Sequence, residues 1–184
     1  MITMKQISDL YDYHYWARDR QLVACGVLTE NDLIRPMGNG FESIRERLLH
    51  LWRIEWIWLQ RFSGRSPVKL PDWPLEGAAW NLNTLIRLWR EVELGMRMYL
   101  GTITAGALVG PFVYVKATGM RAQDPLWRVL IALVNNQTHH RGQITIMLRQ
   151  LGEMPPPIDF LSYLDSMGSQ DRAGASVSFA ASGM

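Results

Sequence analysis

Apolar residues recur at three- and four-residue steps in four long stretches of the chain, which is the spacing of amphipathic helices. The pattern predicts helices over 8–25, 41–62, 81–99 and 124–151. The fourth is the clearest, because Asp124 is a good N-cap, Pro125 suits a first helical position and Gly152 supplies a stop. Four helices with short to moderate connections predict an all-α four-helix bundle. The alternative is a helical domain that completes its core only as a dimer.

Three segments interrupt the helical pattern. Residues 110–119 hold an aromatic and β-branched run between glycines, which predicts a short strand or hairpin arm before the last long helix. Residues 65–80 contain three prolines, so we expect a non-helical linker there. The end of the chain is rich in Gly, Ser and Ala, which predicts a flexible tail over 166–184 after a single domain at 1–165.

Composition narrows the function classes. The 184 residues carry a net charge of only +2 and no dense basic run, so nothing indicates a nucleic-acid partner or a membrane surface. Neither a signal peptide nor an uncharged apolar run of about 20 residues is present, and we expect a cytoplasmic protein without a membrane span. The lone Cys25 cannot form an intrachain disulfide; it is either a small buried apolar residue or a nucleophile that needs an activating partner.

The candidate chemistry lies in the histidines. His140 and Asn136 interrupt the apolar stripe of the fourth predicted helix, one turn apart, and are expected to point inward. Buried polar groups need partners, so the pair predicts either a hydrogen-bonded cluster with water or a metal ion. In the second case a further ligand is expected from another helix, and His50 lies in the middle of the second helix.

Four further residues near these candidates carry open interpretations. His139 lies about 100° around the helix from His140, and it could support the site, line its rim or be exposed. His14 could line the mouth of a pocket, and Glu55 could orient a ligand or be exposed. Gly142 costs a helix about 1 kcal/mol relative to Ala, which indicates close approach of another helix, or less readily of a ligand.

Three segments carry a resemblance to a known family. The most specific is the run 134–144, Val-Asn-Asn-Gln-Thr-His-His-Arg-Gly-Gln-Ile, and the supporting ones are 43–50 with Glu55 and Trp58, and 10–17. Together they resemble the DinB/YfiT-like family of metalloenzymes over roughly residues 5–155. The family pattern of the first run is N-H-x-x-H-H-R-G-Q, so this chain departs from it at Asn136.

The resemblance implies a four-helix bundle in which three histidines hold a divalent metal, often nickel or zinc. Carried over, the metal ligands are His50, Asn136 and His140, and the change to Asn136 predicts weak or lost metal binding. The family also implies a homodimer and a metal-dependent enzyme, such as a thiol-dependent S-transferase acting with a small-molecule thiol, or a hydrolase. The alternative is a non-catalytic relative with a degraded metal site, serving as a small-molecule-binding or dimeric interaction module.

Overall fold

Four long helices form the frame of the molecule. The computed structural model describes residues 2–38, 42–65, 80–116 and 118–168. The long helices are α1 (Met4–Cys25), α3 (Ile44–Phe62), α4 (Leu82–Thr102) and α6 (Leu126–Gln150). The connections contain two short helices and two strands: α2 (Glu30–Ile34), α5 (Ala105–Val109), β1 (Pro111–Val115) and β2 (Arg121–Pro125). The predicted all-α bundle is confirmed. The sequence did not predict the two short helices, because five residues are too few to show an amphipathic pattern.

Side-chain caps fix where the first three long helices begin. The Thr3 hydroxyl accepts from the backbone of Gln6, whose side chain accepts from the backbone of Thr3. Ser43 and Glu46 form the same reciprocal capping box before α3, and Asn81 caps α4. Each cap satisfies backbone N–H groups that have no partner in the first turn. The helices therefore start within four residues of the predicted positions.

The long helices close into a ring in which α6 packs on α1 and α3, and α4 packs on the same two helices. Their apolar residues form two core clusters, one built around Trp52 and Trp89 and the other around Tyr11 and Leu130. Between the clusters lies the buried polar layer, which consists of His14, Arg18, Gln21, Glu55, Gln137 and Arg141. Along α6, buried residues of the second cluster come before Gln137, and buried residues of the first cluster come after Arg141. A polar layer of this kind requires internal partners for every group.

The expected strand is one arm of an antiparallel hairpin, β1–β2, in which Pro111 pairs with Pro125 and Val115 with Arg121. The hairpin overturns the predicted start of the last helix. Asp124 lies in β2, where its carboxylate accepts from the Tyr114 hydroxyl at 3.1 Å, and α6 begins at Leu126 without a side-chain cap. Strand pairing therefore overrides the local capping signal. The predicted stop is confirmed, because Gly152 has a φ of 85° just after α6.

A further helical segment at 160–168 lies against α1. The Tyr13 hydroxyl donates to the Ile158 carbonyl at 3.1 Å, and its ring meets Phe160 edge-on at 5.1 Å between centroids. The helical segment continues past the expected domain boundary at 165. The expected tail beyond 168 and the expected linker at 66–79 lie outside the described residues. No helix in the described ranges is long and apolar enough to cross a bilayer.

Candidate functional site

The two candidate histidine ligands meet between α3 and α6. Nε2 of His50 lies 3.3 Å from Nε2 of His140, and the two rings are nearly perpendicular. Two imidazole nitrogens that share a tetrahedral ion at bond lengths of about 2.0–2.1 Å lie about 3.3–3.4 Å apart. Both side chains are half-buried. The spacing therefore fits two ligands of one metal ion.

Asn136 lies one turn before His140 on α6, as its spacing predicts. Its Oδ1 is buried and has no hydrogen-bond partner among the described residues. An amide oxygen in that state can accept a hydrogen bond or bind a cation, although a neutral oxygen is a weak ligand for a transition metal. The expected inward orientation needs one correction: both residues are half-buried, and the buried centre of this face holds Gln137 and Arg141 instead.

Gln143 fixes the orientation of His140. Its Oε1 lies 2.9 Å from Nδ1 of His140, while an Arg47 guanidinium nitrogen lies farther from the same atom, at 3.4 Å. The shorter contact puts a proton on Nδ1, which donates to Gln143 and leaves the lone pair on Nε2, toward His50. The sequence analysis gave Gln143 no role, but its position three residues after His140 on one helix was a usable signal.

The surroundings of His50 favour a neutral imidazole. Burial lowers its pKa below the ordinary 6.5, and the neighbouring His140 and Arg47 lower it further. A neutral ring is the form that binds a metal. No group of three or more His, Cys, Asp or Glu residues is placed to hold a metal within the described ranges. The site thus fits a metal through two strong ligands and one weak one.

Glu55 belongs to the buried polar layer and not to the histidine pair. It is 0% exposed, and its carboxylate accepts from the Tyr15 hydroxyl at 2.6 Å and from Nε1 of Trp89 at 2.6 Å. Nε2 of His14 lies 3.3 Å away as a third donor. Burial alone would raise the Glu55 pKa, but His14 and the hydrogen bonds lower it to about 2. The expectations that Glu55 orients a ligand or is exposed are both wrong.

His14 connects Glu55 to Arg141. A guanidinium nitrogen of Arg141 lies 2.7 Å from Nδ1 of His14. Because arginine only donates, Nδ1 accepts and the proton lies on Nε2, which faces Glu55. Burial lowers the His14 pKa, so the ring is neutral. His14 is 1% exposed and lies in the centre of the bundle, which corrects the expectation of a position at a pocket mouth.

The structure also answers two open questions about α6 and one about Cys25 in α1. His139 is exposed and contacts the Gln143 amide at 3.3 Å, which matches the exposed alternative. No heavy atom of the described residues lies within 4 Å of where a Cβ on Gly142 would be, so the expected close packing of another helix of the bundle there is wrong. The burial of Cys25, at 0% exposure, matches the interpretation as a small apolar residue.

A sequence profile of the DinB family matches residues 1–173. The chain belongs to the DinB family. It is 27% identical to Protein DinB of Bacillus subtilis (strain 168) over 160 residues, covering 84% of this chain and 91% of that protein. It is 23% identical to the uncharacterized protein YizA of the same organism over 154 residues, covering 82% and 91%.

Solved structures of DinB-like proteins share the fold. YfiT from Bacillus subtilis, described as a probable metal-dependent hydrolase with an unusual four-helix bundle topology, has a TM-score of 0.66 at 18% identity. That match covers 83% of this chain and 91% of YfiT. A DinB-like protein from Bacillus cereus has a TM-score of 0.60 at 21% identity, covering 80% and 94%. The four-helix bundle of this DinB-family protein is thus supported by its own helices and by these relatives.

Proposed function

We propose that this DinB-family protein holds a divalent transition metal, zinc or nickel, between α3 and α6 and acts as a metal-dependent hydrolase or thiol transferase. The observation that carries the proposal is the 3.3 Å spacing between Nε2 of His50 and Nε2 of His140. The unpartnered Oδ1 of Asn136 supports a third, weaker contact. The description of YfiT as metal-dependent agrees with this assignment.

When bound, the ion would supply Lewis-acid activation of a water molecule or of a low-molecular-weight thiol. The residues of the chain prepare that chemistry. Gln143 keeps the His140 lone pair directed at the shared position, and Arg47 adds positive charge beside it. A positive surrounding stabilises a deprotonated oxygen or sulfur, because opposite charges attract more strongly in a partly desolvated site. We infer that the substrate or thiol approaches along the half-buried face of the histidine pair.

A second candidate function rests on Asn136. Since the described part of the chain offers no third His, Cys, Asp or Glu at this site, the metal affinity is expected to be low. In that case the protein is a non-catalytic member of the family that binds a small molecule. This candidate is supported by Asn136, which stands where the resemblance implies a third histidine. The two candidates differ in metal occupancy.

The test is the metal content of protein purified without chelator or affinity tag, compared with an Asn136→His variant and a His50→Ala variant. Near-stoichiometric zinc or nickel in the parent, lost in His50→Ala, would support the first candidate. Metal-loaded parent is then assayed with a chromogenic ester and with a thiol plus an electrophilic acceptor. An empty parent beside a loaded Asn136→His variant would establish the second candidate. Metal in neither protein would overturn the site itself.

A further inference from the structure

A second concave site lies on the other side of α6 from the histidine pair. The α1–α6 groove has a volume of about 520 Å³, within the usual range for small-molecule sites. Its apolar lining comes from α1, α6 and the segment after residue 157: Leu10, Tyr13, Ile131, Ile146, Ile158 and Phe160. Thr138, Thr145 and Arg141 add the few polar groups that orient a ligand in such sites.

Gly142 keeps this groove open. A glycine inside a helix costs about 1 kcal/mol relative to Ala, so its presence needs a reason. At Gly95 the reason is packing, because a Cβ there would lie 2.7 Å from Cδ2 of Leu59. At Gly142 no heavy atom of the described residues lies within 4 Å of the same position, and the residue lines the groove. A side chain at this position would therefore enter the groove.

Arg141 gives the groove its charge. The side chain is 2% exposed, and its guanidinium donates to two neutral acceptors, Nδ1 of His14 and Oγ1 of Thr138, each at 2.7 Å. Its Nε is buried and has no hydrogen-bond partner among the described residues. A buried guanidinium without a directly bonded carboxylate is costly unless an anion reaches it. The groove is the route by which an anion could do so.

With the other charged residues that line it, the groove has a net positive charge. Arg149 is an exposed lining residue and adds a second cation. Asp159 also lines the groove, but its carboxylate is occupied by the Ser162 backbone amide at 3.0 Å and the Ser162 hydroxyl at 2.6 Å. A ligand that complements this surface has an anionic head and an apolar body.

We propose that the α1–α6 groove binds a small amphiphilic carboxylate, whose head is bound by Arg141 and Arg149 and whose body lies along the apolar lining above Gly142. This site is independent of the metal site, because His50 and His140 meet between α6 and α3, whereas the groove lies between α6 and α1. Binding therefore needs no metal and remains testable if the histidine site proves empty.

The test is calorimetric titration of the full chain with octanoate in the presence of a chelator. We expect binding of one octanoate, and binding of the neutral 1-octanol about tenfold weaker or more, since hydrogen bonds to charged groups contribute the difference. Gly142→Leu places a side chain in the groove and raises the helix propensity of α6. It should weaken octanoate binding about tenfold or more. Gly101→Leu is the matched control, because a Cβ at this α4 glycine also meets nothing within 4 Å.

Two further variants locate the head group and exclude the metal site. Arg141→Gln should weaken octanoate about tenfold, and where that buried change prevents folding, Arg149→Gln should weaken it by a smaller factor. His50→Ala should bind octanoate as the parent does. Equal binding of octanoate and 1-octanol, or full octanoate binding by Gly142→Leu, would overturn the proposal. A further result would also overturn it: the parent does not bind octanoate and is a dimer, whereas Gly142→Leu is a monomer. The groove would then be a subunit interface.

Discussion

Replacing Glu55 by Gln tests whether the buried polar layer depends on a buried charge. The substitution keeps the shape of the side chain and removes its negative charge. In the folded protein the carboxylate accepts from Tyr15, Trp89 and His14. An amide turned toward Trp89 and His14 would place an NH₂ group against two donors. Turned toward Tyr15 instead, it still leaves the layer without its negative charge.

The expected loss of stability follows from the donors that lose their acceptor. A buried donor left without its acceptor costs about 1–3 kcal/mol. Nε1 of Trp89 and Nε2 of His14 both face the same carboxylate oxygen, so the two together should cost about 3–5 kcal/mol. For a chain of this length each kcal/mol shifts Tm by about 2–4 °C. Glu55→Gln should therefore lower Tm by about 6–20 °C.

The measurement is urea unfolding followed by circular dichroism, with Tm from a thermal scan. Glu91→Gln is the matched control on α4, because the Glu91 side chain is 63% exposed and pairs with Arg87 in a surface contact. Such exposed pairs contribute about 0–1 kcal/mol. If Glu55→Gln is destabilised no more than Glu91→Gln, the buried carboxylate is not charged in the folded protein and the description of the layer is wrong.

Three further outcomes follow from the same contacts. Acid should destabilise the protein from about pH 6.5 downward: burial lowers the His14 pKa below 6.5, so the unfolded chain takes up the proton first. Glu55, with its pKa lowered from 4.5 to about 2, should extend that loss of stability below pH 4.5. Thermal scans at several pH values measure the loss, and a Tm that rises on acidification would contradict this expectation. Gln143→Leu should weaken metal binding about 10–100-fold by calorimetry, because His140 loses its acceptor; unchanged affinity would exclude that role. Cys25, with its pKa raised to about 12 by burial, should react with Ellman's reagent only in denaturant, and rapid labelling of folded protein would contradict its burial.

The long helices could be predicted from sequence because each carries its own repeating apolar pattern and end signals. The prediction failed where a distant partner decided the local structure. Asp124 and Pro125 form a good helix start in isolation, but β1 pairs with this segment and extends it as a strand. A cap contributes about 1 kcal/mol, so several ladder contacts outweigh it.

The candidate site shows the same division. The face shared by Asn136 and His140 follows from helical spacing, and the resemblance supplied His50 as their partner. Glu55 and His14 were misplaced because a charged or polar residue in a helical window is usually exposed. Each is buried as the hydrogen-bond partner of the other, and the two lie 41 positions apart in the chain. A local sequence pattern cannot predict such a pair.

Because the two polar sites are separate, a change at the histidine pair need not disturb the fold. The buried polar layer crosses the centre of the bundle, and the chain Glu55–His14–Arg141 within it is held by hydrogen bonds that involve no metal. His50 and His140 lie at the half-buried margin, where a changed ligand exposes little new polar surface. We therefore expect a change at this margin, such as Asn136→His, to alter metal affinity while costing the bundle little stability. We accordingly expect His50→Ala to unfold within about 1 kcal/mol of the parent in chelator, whereas a change at Glu55 weakens the whole bundle.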